Sequence, residues 1–283
     1  MTALLFGASG QVGCELAAAG SFTIVPRAEA DFSDPASCRA AVMARRPSVV
    51  VNTAAYTAVD KAEAESDLAF TVNRDTPAAL AGACAELGIP LVHLSTDYVF
   101  DGTKAQPYTE DDATAPLSVY GTSKLAGEDA IRARLDRHVI LRTAWVFSAR
   151  RDNFIRTMHR LADRPELRVV DDQRGGPTAA AHVAQAVLAI LAAVAQGRAH
   201  WGTFHFCGAP AVTRHELAQA VFATLGHGPR LLPIATADYP LPARRPANSM
   251  LDCRALQTAY GITPPDWRAA LPAILTHLEG SSP

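Results

Sequence analysis

Tyr120 and Lys124 stand four residues apart in the stretch Tyr120-Gly121-Thr122-Ser123-Lys124. On a helix that spacing puts both side chains on one face. An ammonium beside a phenol in a low-dielectric cleft favours phenolate. Bringing a Tyr from its ordinary pKa near ~10 to ~7 takes roughly 4 kcal/mol of differential stabilisation. The chain has 6 tyrosines, and its only lysines among 26 basic residues are Lys61, Lys104 and Lys124. A Lys four residues after a Tyr is therefore expected by chance about 0.06 times. The competing reading is an ordinary Tyr-Lys pair on a helix surface.

A second set of residues points to a dinucleotide. Gly7-Ala8-Ser9-Gly10-Gln11-Val12-Gly13 follows the apolar run Ala3-Leu4-Leu5-Phe6 and precedes a helical pattern through Ala19. Strand, glycine turn and helix form the context of a diphosphate-binding loop, in which glycines allow a tight turn and the helix start faces the anion. The spacing is GxxGxxG, and a ligand-free tight turn is its alternative. Ser95-Thr96-Asp97 follows a fourth apolar run. A hydroxyl at Thr96 suits a substrate carbonyl, and suits a turn cap equally well. Small residues in Asn52-Thr53-Ala54-Ala55 allow backbone to approach a bound ring. Asp31-Phe32 falls where an adenosine would lie, although Asp31 also suits an Asx turn.

These groups need a scaffold, and the chain's patterning predicts one. Strands are expected at 3–6, 22–25, 49–51, 91–94 and 139–141, with 167–170 as a sixth. Helices are expected at 34–45 (Pro35 in the first turn), from Thr76-Pro77 to Gly88, at 118–133 and over 179–195. Alternation of this kind is a Rossmann-type doubly wound parallel α/β sheet. After about residue 200 the pattern changes to short strands, a helix at 213–225 and a proline-rich stretch to Pro246, which reads as a smaller α/β substrate-binding lobe. We expect residues 1–146 with about 167–198 to form the dinucleotide-binding domain, and about 147–166 with 199–283 the substrate domain. A length of 283 residues at 49% hydrophobic is enough for such cores. The net charge is -2 and no basic run exceeds a pair, so neither a nucleic acid nor a membrane surface is an expected partner. Five scattered cysteines without CxxC suggest reduced thiols and a cytoplasmic location. No metal site is expected.

The glycine loop, Ser95 to Gly102, Pro116 to Glu128 and Arg142 to Phe147 together resemble the extended short-chain dehydrogenase/reductases. More narrowly, they resemble the dTDP-4-dehydrorhamnose reductase family. The blocks Asn52 to Glu63, Asp172 to Thr178 and Ala243 to Ser249 extend the likeness over nearly the whole chain. The resemblance implies Tyr120 as the acid-base residue, Lys124 as its partner and Thr96 as the assisting hydroxyl. Gly7, Gly10, Gln11 and Val12 would meet the cofactor diphosphate, and Asp31 and Phe32 the adenosine. Ala54, Ala55 and Tyr56, with Tyr120 and Lys124, would line the rest of the cofactor's path. Thr96, Asp97 and Trp145 would touch a nucleotide-sugar substrate, Trp145 being otherwise a core aromatic.

The reaction implied is reduction of the C4 ketone of dTDP-4-dehydro-L-rhamnose. Its alternatives are reduction of another dTDP-4-keto-6-deoxy sugar or a non-catalytic regulatory relative. Pro26-Arg27 replaces the usual ribose-binding acid after the second strand, and an arginine there accepts a 2′-phosphate. NADPH is therefore expected, with NADH possible. The magnesium-linked dimer of the family is doubtful, since Glu15 matches one glutamate but His182 replaces another; a monomer or weak homodimer is expected. Arg174 reads as a substrate-side residue or a solvated surface arginine. Arg244 and Arg245 read as diphosphate contacts or parts of a mobile loop.

Overall fold

The computed structural model describes residues 2–280. Six parallel strands form the central sheet in the order β10-β5-β4-β3-β1-β2. They are β1 (Ala3–Phe6), β2 (Phe22–Ile24), β3 (Val49–Asn52), β4 (Leu91–Thr96), β5 (His138–Thr143) and β10 (Gly202–His205). Alternate residues of β1 face opposite layers, as strand geometry requires. Ala3 and Leu5 join Leu16, Val187 and Ile190 on one side, where α1 (Gln11–Ala19) and α8 (Ala180–Ala195) pack. Leu4 and Phe6 join Val42, Leu80 and Cys84 on the other, under α2 (Pro35–Arg45) and α5 (Thr76–Leu87). The doubly wound α/β sheet expected from the alternation is therefore present.

Thr76-Pro77 opens α5 as expected, with Pro77 in its first turn and Gly88 at its end. The chain reaches it through α3 (Val59–Ala62), α4 (Ser66–Phe70) and a π-type turn at Thr71–Asp75. The wider turn changes the hydrogen-bond register just ahead of Pro77, which has no N–H to donate. The Thr76 hydroxyl goes instead to the Phe32 carbonyl at 2.7 Å.

One expectation fails, that of the sixth strand. β7 (Glu166–Val170) leaves the central sheet and pairs in parallel with β12 (Arg230–Ile234), while β10 takes the place beside β5. Phe204 and Phe206 are buried in the sheet's own core, whereas β7 exposes Glu166 and Arg168. A strand half-open to solvent suits a two-stranded edge better than the interior of a sheet covered on both faces. We propose that the smaller lobe includes β7 and that β10 belongs with the sheet.

The lobe is completed by α7 (Phe154–Arg160), α9 (Arg214–Leu225) and α11 (Leu271–Glu279), whereas α10 (Arg254–Tyr260) packs its Leu256 into the core of the central sheet. Short ladders join β6 (Val146–Phe147) to β9 (Thr178–Ala179) and β8 (Arg174–Gly175) to β11 (Val212–Thr213). Phe147, Ile155, Leu217, Trp267 and Leu271 form its separate core. Among the described residues no helix is long and apolar enough to cross a membrane.

Candidate active site

Strand order reverses between β1 and β3, and the loops leaving their carboxyl ends meet there, as the switch-point rule requires. Gly7 has φ +83°, and a Cβ on it would lie 2.4 Å from the Ala54 nitrogen. A Cβ on Gly13 would lie 2.0 Å from the Gly7 carbonyl oxygen. The two glycines thus let α1 and the β3 loop close against the turn, leaving a floor of main chain. Gly10 precedes α1, whose first-turn N–H groups at Gln11 and Val12 are the orphan donors of a helix start. This cradle fits a dinucleotide diphosphate. The Gln11 side chain is already engaged: its amide donates to the Val146 carbonyl at 3.3 Å and accepts from Ser148 and Asn153 at 2.9 and 3.0 Å.

The cleft above this floor has a volume of ≈ 2430 Å³, several times the ~300–1,000 Å³ of a single small-ligand pocket. That is room for more than one small ligand. Ala54, Ala55 and Tyr56 line it, and at its outer end so do Asp31 and Phe32. Asp31 accepts from the Ser33 N–H at 2.9 Å, which is the Asx turn, and pairs with Arg27 at 3.2 Å; the Ser33 contacts, with Arg27, hold its carboxyl below the ordinary value. Asn73, in the π turn, accepts from the Tyr56 N–H at 2.9 Å and donates to the Ser123 hydroxyl at 3.0 Å. It joins that wall to α6.

Helix α6 (Val119–Arg132) carries the remaining chemistry. Ser118 caps it by accepting from the Gly121 N–H at 3.2 Å. Gly127 allows close approach to the π turn, since a Cβ there would sit 2.0 Å from the Asn73 carbonyl oxygen. Tyr120, Lys124 and Glu128 follow one another at intervals of four along the helix. Lys124 is 2% exposed and donates to the Leu94 carbonyl at 2.7 Å. Burial lowers its pKa to about 8, against the opposing pull of Glu128. Burial would raise Glu128, but Arg142, reaching it at 2.7 Å, and Ser95 at 2.5 Å keep its carboxyl below the ordinary value.

Tyr120 departs from the expectation of a phenol made acidic by Lys124. Burial pushes its pKa upward, the Thr96 hydroxyl only partly offsets this, and Asp97 and Tyr98 push it further up. The ammonium's hydrogen bond goes to the Leu94 carbonyl, leaving desolvation to dominate. At neutral pH the phenol therefore keeps its proton.

Thr96 is buried and acts as the turn cap, accepting from the Tyr98 N–H at 3.1 Å while donating to Asp97 at 3.0 Å. Asp97 is 2% exposed, and its Oδ2 has no hydrogen-bond partner among the described residues. Burial raises its pKa to about 6, against Ser249, Thr96 and Arg214. In the native state Asp97 keeps its proton up to about 6, while the unfolded chain releases it near 3.8. The native state thus binds more protons across that window, and stability falls as pH rises through it. Asp97→Asn should be more stable than the parent at pH 7.5 by about 1–2 kcal/mol, with the advantage shrinking toward pH 5. Urea midpoints at the two pH values measure this, and equal advantages at both would contradict it.

Trp145 lines the cleft with a left-handed backbone, φ +46°. Its ring is wedged against Gly175, where a Cβ would lie 2.5 Å away. The Arg214 guanidinium carbon sits 3.5 Å from the ring centroid. Arg214 lines the same cleft near Asp97 and Tyr98 and was missed in the sequence; a lone arginine opening a helix carries no signal of it. Arg245 also lines the cleft and is held by Asp60 at 2.7 and 2.8 Å, whereas Arg244 is exposed on its rim. Arg174 stays outside the cleft, half-exposed and 3.9 Å from Glu216, as a solvated arginine would be. Glu15 lies on α1 and His182 on α8; among the described residues no group of three or more His, Cys, Asp or Glu is placed to hold a metal.

Residues 1–279 match the model of the RmlD substrate binding domain family. The chain is 44% identical to the dTDP-4-dehydrorhamnose reductase of Burkholderia thailandensis, with 96% of this chain and 97% of that one covered. It superposes with a TM-score of 0.91 on a dTDP-4-dehydrorhamnose reductase from Clostridium acetobutylicum, at 34% identity over 99% and 100% of the two chains. The Bacillus anthracis enzyme of the same name, solved in complex with NADP, gives 0.91 at 30% identity over 98% and 99%. A match of this extent, over both lobes and the cleft between them, establishes that the chain belongs to the dTDP-4-dehydrorhamnose reductase family.

Proposed function

We propose that this protein reduces the C4 ketone of dTDP-4-dehydro-L-rhamnose to the alcohol, with NADPH as the reductant and NADH as the alternative. The observation that carries the reading is a single cleft with the glycine cradle at one end and Tyr120, Thr96 and Asp97 in its wall. The dinucleotide, when bound, supplies the hydride. Gly7, Gly10, Gln11 and Val12 would hold its diphosphate, Asp31 and Phe32 its adenosine, and Ala54, Ala55, Tyr56 and Lys124 its path toward Tyr120.

Tyr120 donates its phenolic proton to the oxygen of the ketone as negative charge develops there. A tyrosine that keeps its proton at neutral pH is in the right form for that direction of reaction. Thr96, on turning its hydroxyl proton from Asp97 to the substrate, would hold the carbonyl oxygen and stabilise its growing charge. Lys124 stabilises the phenolate left behind. Asp97, with one carboxyl oxygen unpaired, accepts from a sugar hydroxyl, and Trp145 supplies an apolar wall. Arg214 and Arg245 supply positive charge for the substrate's diphosphate.

The test is oxidation of NADPH, followed with dTDP-4-dehydro-L-rhamnose, with NADH in place of NADPH, and with a GDP-linked ketosugar. Turnover confined to the dTDP compound is expected. Absence of turnover with it would sink the reading. Turnover with a different dTDP-4-keto-6-deoxy sugar alone would move the substrate assignment.

A further inference from the structure

Behind Lys124, beneath the cleft, a chain of buried polar groups runs through the sheet. The Asn52 Oδ1 accepts from the Ala54 N–H at 2.9 Å, which fixes which end of that amide is oxygen. Its Nδ2 then faces the His93 Nδ1 at 2.9 Å, and the His93 Nε2 faces the Lys124 Nζ at 3.3 Å. Asn52 and His93 are both 0% exposed.

Hydrogen-bond accounting leaves one arrangement. An amide NH₂ can only donate, so the His93 Nδ1 must accept and carries no proton. A neutral imidazole then carries its proton on Nε2, directed at Lys124. An ammonium has no lone pair to receive that N–H and would set donor against donor. A free amine can accept it while still donating to the Leu94 carbonyl at 2.7 Å.

We propose that Asn52 locks His93 as its Nε2–H tautomer, and that this N–H biases Lys124 toward the free amine, making His93 a positioning residue for the Tyr120–Lys124 pair. The inference rests on the role proposed above for Lys124. The other groups around the amine act with or against the bias. On its own helix, Tyr120 is uncharged and Glu128 favours the ammonium, although Arg142 and Ser95 largely engage that carboxylate. From β4 come His93 and the Leu94 carbonyl, with Thr96 and Asp97 further along the strand; from β3 comes Asn52, acting through His93; from β5, His138 disfavours a charged His93. Burial favours the free amine as well.

The experiment is nuclear magnetic resonance on the full chain without substrate or dinucleotide, so its outcome is independent of whether the enzyme turns over any sugar. With ¹³C at lysine Cε the chain has three side-chain signals to consider, and the signal lost in Lys124→Met identifies Lys124. A wild-type midpoint near 8 is expected. Asn52→Asp keeps an acceptor for Ala54 but needs an Nδ1–H from His93, turning Nε2 into an acceptor that favours the ammonium. Its midpoint should rise by about one pH unit or more. Because a carboxylate also acts through charge alone, the same substitution is made in His93→Leu, where the rise should be distinctly smaller. Equal rises with and without the imidazole would overturn the proposal. Imidazole ¹⁵N shifts of the unmutated protein give a second reading, and an Nδ1–H tautomer at His93 would overturn it outright. Failure of the tautomer lock leaves the reductase assignment intact, and loss of that assignment is read in the turnover assay alone.

Discussion

Tyr120→Phe should lower ketone reduction by about 10²–10⁴-fold while leaving the fold and dinucleotide binding in place. The ring packs edge-on against Tyr98, with centroids 5.7 Å apart and planes at 75°, and phenylalanine keeps that contact. Only the hydroxyl is lost, and with it the proton for the developing alkoxide. Single-turnover rates report the chemical step, and quenching of protein fluorescence by NADPH reports binding. A variant that binds NADPH and reduces the sugar at the parent rate would remove Tyr120 from the mechanism. Since the tyrosine's pKa lies above its ordinary value, the parent should show no loss of proton donation from this group across the neutral range.

Arg142→Leu should cost about 3–5 kcal/mol of stability, because it leaves the carboxylate of Glu128 buried without its partner. Glu128 is 0% exposed, and Arg142 reaches both its oxygens, Nε at 2.9 and 3.2 Å and Nη2 at 2.7 Å. Arg132 at 3.1 Å is a partly exposed substitute and cannot replace that fork. Replacing both members, as in Glu128→Leu with Arg142→Met, should recover much of the loss, since two uncharged side chains of similar bulk need no pairing. The folded-state pKa of Glu128 is depressed. Its contribution is therefore present above the unfolded value near 4.5 and lost as pH falls through the folded one. Urea unfolding of the single and double variants checks the order; a single variant within 1 kcal/mol of the parent would refute it.

Much of this architecture could be read from local signals because local chemistry causes it. Ser118 caps α6, Asp34 accepts from the Ala36 N–H ahead of Pro35, and the glycine spacing fits backbone contacts too close for a side chain. β1, β3 and β5 are continuously buried, as their apolar runs imply. The features that escaped depend on distant partners. β7 and β10 are both short and apolar in part, and their exchange is decided by Arg230–Ile234 and by the edge of β5. Arg214 meets in the cleft partners far from it in sequence, the Trp145 ring 69 positions earlier and the Asp97–Tyr98 turn. The weak acidity of Tyr120 cannot be read from spacing, which reveals a nearby cation but not where its hydrogen bond goes or how deeply the phenol is desolvated.

The Arg27–Asp31 contact at the outer end of the cleft has a consequence for fidelity. Its side chains are 84% and 41% exposed, and such a pair is worth only about 0–1 kcal/mol. A visiting 2′-phosphate can draw the guanidinium away from its carboxylate, and a bare hydroxyl can address the carboxylate instead. Neither exchange is expensive. On the proposed placement of the adenosine, this pair would therefore give NADPH a modest advantage over NADH and not an absolute one.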